Sequence, residues 1–273
     1  MLTLSPLCNT TQDGADSYGD EVAVAAGIAR AAVPRAAVFI TSKVGPGGYH
    51  FPLGYADVLA QAAGILANYS TPFVDLLLVH GPVVQLPFVV PPLDPLCVPP
   101  PGQPQPANAT ACRLSTWRAM LHLWASGAAR AVGVSNYNVA QLQEIEDARL
   151  PLPAVNQISK SPLAPQAGVA AWCAARGVKL QAYHSFGGYN GGGSVLADAT
   201  VGAVARAHNR SAAQVVLNFQ VRGGTSVNPG FTGPGIPGYK PMDVVLEYMA
   251  ENLGFFDFAL TADEAAAIAA IGK

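Results

Sequence analysis

Three apolar runs in this chain end on residues that can carry a proton or offer a hydrogen bond. Val38-Phe-Ile-Thr-Ser-Lys43 closes on a lysine, Val74-Asp-Leu-Leu-Leu-Val-His80 on a histidine, and Ala131-Val-Gly-Val-Ser135 on a serine followed by Asn136. An ammonium, an imidazole and a hydroxyl beside an amide can support general acid–base chemistry if they converge. Taken singly, each has a plainer role: Lys43 as a solvated strand end, His80 as a hydrogen-bonded rim residue. Convergence requires the runs to be parallel strands of a βα barrel, whose C-terminal ends meet on the one face where such folds build active sites.

The elements needed for that arrangement are legible. The runs Val38–Lys43, Val74–His80, Ala131–Ser135, Ala154–Ile158 and Val178–Tyr183 are short and almost continuously apolar, as strands covered on both faces are. Between them, Glu21–Ala32, Val58–Ala67, Thr116–Ala125, Val139–Ala148 and Ala167–Ala175 are rich in Ala and Leu at three- and four-residue steps, which predicts helices. Asp57, Ser115 and Asn138 stand where N-caps belong. Alternation of this kind predicts an α/β fold with a parallel sheet. From Gly81 to Cys112 the rhythm stops: ten prolines and almost no charge predict a long loop insertion, 81–112, in a single domain covering 1–273.

The 273 residues are 51% hydrophobic and 12% charged, with a formal net charge of −2. This balance excludes a disordered chain and supplies no basic field for nucleic acid. No apolar stretch approaches the roughly 18 residues of a membrane span. The first basic residue is Arg30, so no secretory leader is expected and a cytoplasmic location is. Cys8, Cys97, Cys112 and Cys173 lack metal-ligand spacing and are expected as free or buried thiols; no metal site is expected. A disulfide between Cys97 and Cys112 is the alternative in an oxidising compartment. The N-x-S/T triplets at Asn9, Asn68, Asn108 and Asn209 matter only on the secretory route.

Several segments resemble the aldo-keto reductase family, in that family's order. They are Asp13-Gly-Ala-Asp-Ser-Tyr18-Gly-Asp-Glu21, the runs ending in Lys43 and in His80-Gly-Pro82, Ala131 to Asn136, Val155-Asn-Gln157-Ile158, Leu180-Gln-Ala-Tyr183, and Glu251-Asn252 followed by Phe256-Asp-Phe258. The resemblance implies a (β/α)8 TIM barrel that binds NADPH, with NADH possible, and reduces a small aldehyde or ketone substrate. It places a catalytic tetrad on Asp13, Tyr18, Lys43 and His80. Tyr18 is then the general acid that meets the charge developing on the carbonyl oxygen, and the Lys43 ammonium eases its ionisation. Asp13 holds Lys43, and His80 orients the carbonyl.

By the same resemblance, Ser135, Asn136 and Gln157 bind the nicotinamide carboxamide, Tyr183 stacks on its ring, and Glu251 and Asn252 lie near the adenine. The loop after Tyr183, including Ser185 and Gly187, offers backbone N–H groups to the pyrophosphate. The family places a hairpin, a strand and a helix before its aspartate, and twelve residues precede Asp13. A barrel lacking the first strand and helix is therefore expected. Gly230 stands where the family's phosphate-binding lysine is usual, with Lys240 as a substitute. Gly81 replaces a common tryptophan after the histidine, leaving an open substrate pocket. The alternative to an active enzyme is a catalytically weak nucleotide-binding scaffold built on the same barrel.

Overall fold

The computed structural model describes residues 11–45, 53–84, 92–187, 193–229 and 240–272. They form two compact units. The N-terminal unit takes in Thr10–Asn156 and Ala175–Val178, and the C-terminal unit takes in Gln157–Ala174 and Lys179–Lys273.

In the N-terminal unit, strands β1 (Thr11–Asp13), β2 (Phe39–Val44), β3 (Val74–Val79) and β4 (Ala129–Ser135) lie side by side in chain order, followed by the start of β5 (Val155–Ser159). β1, β2, β3 and β4 pair in parallel, with Asp13 opposite Thr41, Lys43 opposite Leu78 and Val79 opposite Val134. Helices α1 (Glu21–Arg30), α2 (Tyr55–Asn68), α3 (Ala109–Ala125) and α4 (Val139–Asp147) follow these strands in turn. Every residue of β3 is buried, as an apolar run in the middle of a covered parallel sheet should be. Its one carboxylate, Asp75, is neutralised in place: Arg35 Nη2 donates to it at 2.7 Å, Arg130 Nη1 at 3.0 Å and the Ile40 amide at 2.9 Å. Gly133 in β4 has no room for a side chain, since a Cβ would lie 2.5 Å from the Val155 carbonyl oxygen and 2.7 Å from Leu78.

In the C-terminal unit β5, β6 (Lys179–Tyr183) and β7 (Thr225–Val227) are neighbours in that order. β6 and β7 are parallel, with Ala182 opposite Val227. α5 (Ala167–Arg176) connects β5 to β6. α6 (Ala199–Ala207) and α7 (Ala212–Arg222) precede β7, while α8 (Met242–Leu253) and α9 (Ala262–Ala269) follow it. Val195, Val201, Val204, Ala205, Val215, Val216 and Ile268 form its buried cluster. Among the described residues seven parallel strands thus alternate with helices, the α/β architecture expected.

The helix starts needed correction at two of three positions. Asn138 does cap α4, in a reciprocal box with Gln141. Asp57 instead lies inside α2, buried, and accepts the amides of Leu93 at 2.9 Å and Asp94 at 3.0 Å. Ser115 lies in the middle of α3 and donates to Asp94 at 2.6 Å. Asp57 thereby satisfies two backbone amides of the proline-rich segment, and Ser115 ties the Asp94 side chain of that segment to α3. That segment is also shorter than expected, because its last residues belong to α3, which Asn108 caps by accepting the Ala111 amide at 2.9 Å.

The expectation of free thiols at Cys97 and Cys112 is corrected as well: they form a disulfide closing a loop of sequence separation 15, while Cys173 is free and buried. Cys8, the triplet at Asn9, residues 85–91 of the insertion and residues 188–192 of the glycine loop lie outside the described residues. Among the described residues no helix is long and apolar enough to cross a membrane.

Candidate active site

Parallel pairing of β1, β2 and β3 puts Asp13, Lys43 and His80 at the same ends of adjacent strands. Asp13 is the last residue of β1, Lys43 the second to last of β2, and His80 follows β3 with its amide donating to the Val44 carbonyl at 2.8 Å. Tyr18 arrives by a different route. Residues Asp16–Tyr18 form one 3-10 turn, and Gly19, at φ 66°, ends it in the left-handed conformation that glycine takes at little cost. The chain can then enter α1 with Tyr18 turned back beside the strand ends.

The four side chains expected to act together are therefore close in space. The Lys43 ammonium, 2% exposed, donates to the Asp13 carboxylate and, at 2.8 Å, to the Gly14 carbonyl. It lies 5.2 Å from the centre of the Tyr18 ring, and that ring meets His80 edge-on at 5.6 Å between centroids. Tyr18 is 50% exposed, so a buried cation sits behind a phenol that faces solvent. Sequence reasoning did not single out Ser17, whose Oγ lies 3.5 Å from His80 Nδ1, or the Gly14 carbonyl. Glu21, the last residue of the Asp13 motif, is buried and accepts from Ser42 at 3.2 Å and Asn68 at 2.8 Å, tying α1 to the strand that carries Lys43.

Burial dominates the electrostatics. It pushes the Lys43 ammonium below its ordinary value, and Asp13 opposes that shift by charge and hydrogen bond. It also lowers His80 to about 4, with the Lys43 charge adding to the effect, so the imidazole is neutral at physiological pH. Asp16 is raised to about 6 by burial and by its proximity to Glu21.

The residues expected to hold the cofactor fall in both units. In the N-terminal unit, Ser135 ends β4 and is buried, while Asn136, exposed and at φ 63°, donates to the His80 carbonyl at 3.0 Å and to Ser135 Oγ at 3.1 Å. These two residues are thus joined to the tetrad. In the C-terminal unit, Gln157 on β5 is buried and donates to Gln181 at 2.9 Å, and Tyr183 ends β6, half-buried, 5.0 Å from the His184 ring. Ser185 is buried, its hydroxyl donating to the Ala182 carbonyl at 3.3 Å and its carbonyl accepting from Gln220 at 3.1 Å. Gly187, at φ 80°, has its amide bonded to the His184 carbonyl at 2.9 Å. Glu251 and Asn252 sit in the last turn of α8, where the Glu251 carbonyl accepts from Gln214 at 2.7 Å. Lys240 is exposed, and Gly230 lies outside the described residues.

The aldo/keto reductase family model matches residues 8–273. An aldo-keto reductase of Mycolicibacterium vanbaalenii is 30% identical over 256 residues, covering 94% of this chain and 76% of that protein. Morphine 6-dehydrogenase of Pseudomonas putida is 30% identical over 263 residues, covering 93% and 75%. Among solved structures, the Bombyx mori aldo-keto reductase in complex with NADP superposes with a TM-score of 0.75 at 25% identity, over 96% of this chain and 78% of that one. At the ends of parallel strands, then, a buried lysine–aspartate pair lies behind an exposed tyrosine and beside a neutral histidine. The chain belongs to the aldo/keto reductase family.

Proposed function

We propose that this protein reduces an aldehyde or ketone to the alcohol, with NADPH as the reductant and NADH as the alternative. The observation that carries this reading is the Asp13–Lys43 pair packed behind Tyr18 and beside His80. Bound NADPH would supply hydride to the carbonyl carbon. Tyr18 Oη then gives its proton to the oxygen, which becomes the alcohol hydroxyl. The buried Lys43 ammonium favours the phenolate left behind. Asp13 and the Gly14 carbonyl hold that ammonium in place. Neutral His80 offers an N–H to the carbonyl oxygen without competing as an acid.

The donor set suits the cofactor. In the N-terminal unit Ser135 and Asn136 carry a hydroxyl and an amide, chemistry that pairs with a carboxamide; in the C-terminal unit Gln157 carries an amide of its own. Tyr183 presents an aromatic face for a nicotinamide ring, and by the family resemblance the segment bearing Ser185 and Gly187 would lie beside the phosphate oxygens. Glu251 and Asn252 take the adenine end. The NADP in the Bombyx mori relative and the dehydrogenase name of the Pseudomonas putida relative support the same chemistry. On this reading residues 1–273 are one oxidoreductase domain.

The test is isotopic. NADPH carrying deuterium at C4 is expected to yield an alcohol deuterated at the former carbonyl carbon. An alcohol free of deuterium from either C4 face, or no turnover across aldehydes and ketones, would overturn the proposal.

A further inference from the structure

The catalytic lysine is gripped by two consecutive residues. Lys43 Nζ donates to the side chain of Asp13 and to the backbone carbonyl of Gly14, so the course of the backbone through residues 13 and 14 sets the position of the charge. One side of that backbone is fixed by the sheet, where the Gly14 amide donates to the Thr41 carbonyl at 2.9 Å. The other side meets Tyr69, the residue that ends α2. A Cβ at position 14 would lie 2.4 Å from the Tyr69 hydroxyl oxygen, whereas its next neighbours, the Thr41 carbonyl oxygen and Tyr69 Cζ, would be at 3.7 Å. Tyr69 is 4% exposed, and its hydroxyl finds no hydrogen-bond partner among the described residues. A buried phenol without a partner has nothing but packing to hold its oxygen there. The ring cannot swing aside as a flexible chain end would.

We propose that Tyr69 is a positioning residue for the Asp13–Lys43 pair, its hydroxyl occupying the place that a side chain at position 14 would fill. The inference rests on the proposed role of Lys43 but concerns a residue outside the tetrad. The charged and titratable groups around the ammonium are Asp13 from β1, Asp20 at the start of α1, the Tyr18 ring and His80 after β3. Tyr69 sets the distance to the first of these.

The contact is tested by Gly14→Ala, Tyr69→Phe and the two combined. Gly14→Ala is expected to lower kcat by about ten- to a hundredfold with little change in KM for the carbonyl substrate, as misplacement of a catalytic group does. It is also expected to move the titration of the Lys43 side chain, followed by its Cε resonance. Removing the hydroxyl leaves only the 3.7 Å contact to the ring, so the double variant should recover both readouts to within roughly threefold of native activity. Tyr69→Leu, which opens a gap instead of a clash, covers the case in which Gly14→Ala fails to fold, and is expected to shift the same resonance. Native-like kcat and titration in Gly14→Ala, no rescue in the double variant, or an unmoved Lys43 resonance in folded Tyr69→Leu would each overturn the inference. If the native protein reduces no carbonyl, the activity arm falls with the proposed function, and the Lys43 resonance still decides the role of Tyr69.

Discussion

His80 follows β3 and meets the Tyr18 ring edge-on, with its Nδ1 3.5 Å from Ser17 Oγ. Its position at the end of an apolar run marked it as a strand-end histidine; its lowered proton affinity follows from burial and from the Lys43 charge across the site. The sign of the resulting pH effect is definite. Between about pH 4 and the ordinary value of 6.5, an unfolded chain binds a proton that folded His80 refuses. Stability should therefore fall as pH is lowered through that window, by about 3 kcal/mol at most. Denaturant midpoints measured against pH for the native protein and for His80→Gln check this. The native slope should be the steeper, and equal slopes would contradict the placement of His80. Lys43 was marked in the same way as His80, by the end of its apolar run, whereas Asp13 and Tyr18 were singled out only by the resemblance to the aldo-keto reductase family. Tyr69 was not: nothing in its own neighbourhood signals that the residue capping α2 reaches Gly14.

Among the elements, strands and helices read well wherever hydrophobic period and covered faces agreed. β3 and α4 are examples, the latter with the Asn138 cap in place. The misread elements surround the proline-rich insertion. Asp57 and Ser115 resemble caps locally, but their oxygens were recruited by Leu93 and Asp94, residues tens of positions away. Local patterning cannot see that demand, because it comes from residues far away in the sequence, backbone amides in the case of Asp57 and a carboxylate in the case of Ser115. The Cys97–Cys112 disulfide anchors the same segment to α3. Reduction, or replacement of both cysteines by serine, is expected to lower unfolding free energy by about 2–4 kcal/mol, the range for loops of this size. A guanidinium titration with and without reductant measures it, and coincident curves would argue that the bond contributes nothing to the folded state. Because the insertion follows His80 directly, the effect on KM for carbonyl substrates is worth reading in the same samples.

At the scale of the whole molecule, composition argued for a folded core, and the alternation of elements predicted a parallel α/β fold. The seven strands agree with that reading, and the family match covers residues 8–273. What composition could not supply was the chemistry, which came from a few residues at strand ends whose meaning depends on their being neighbours. Proton delivery by Tyr18 is the step on which the proposed reduction depends. It is tested by comparing native protein and Tyr18→Phe in single-turnover reduction of an aldehyde, following nicotinamide absorbance, with NADPH binding measured separately by fluorescence. Tyr18→Phe is expected to bind NADPH as the native protein does but to reduce the aldehyde about a hundred- to ten-thousandfold more slowly. Reduction at the native rate by Tyr18→Phe would contradict it.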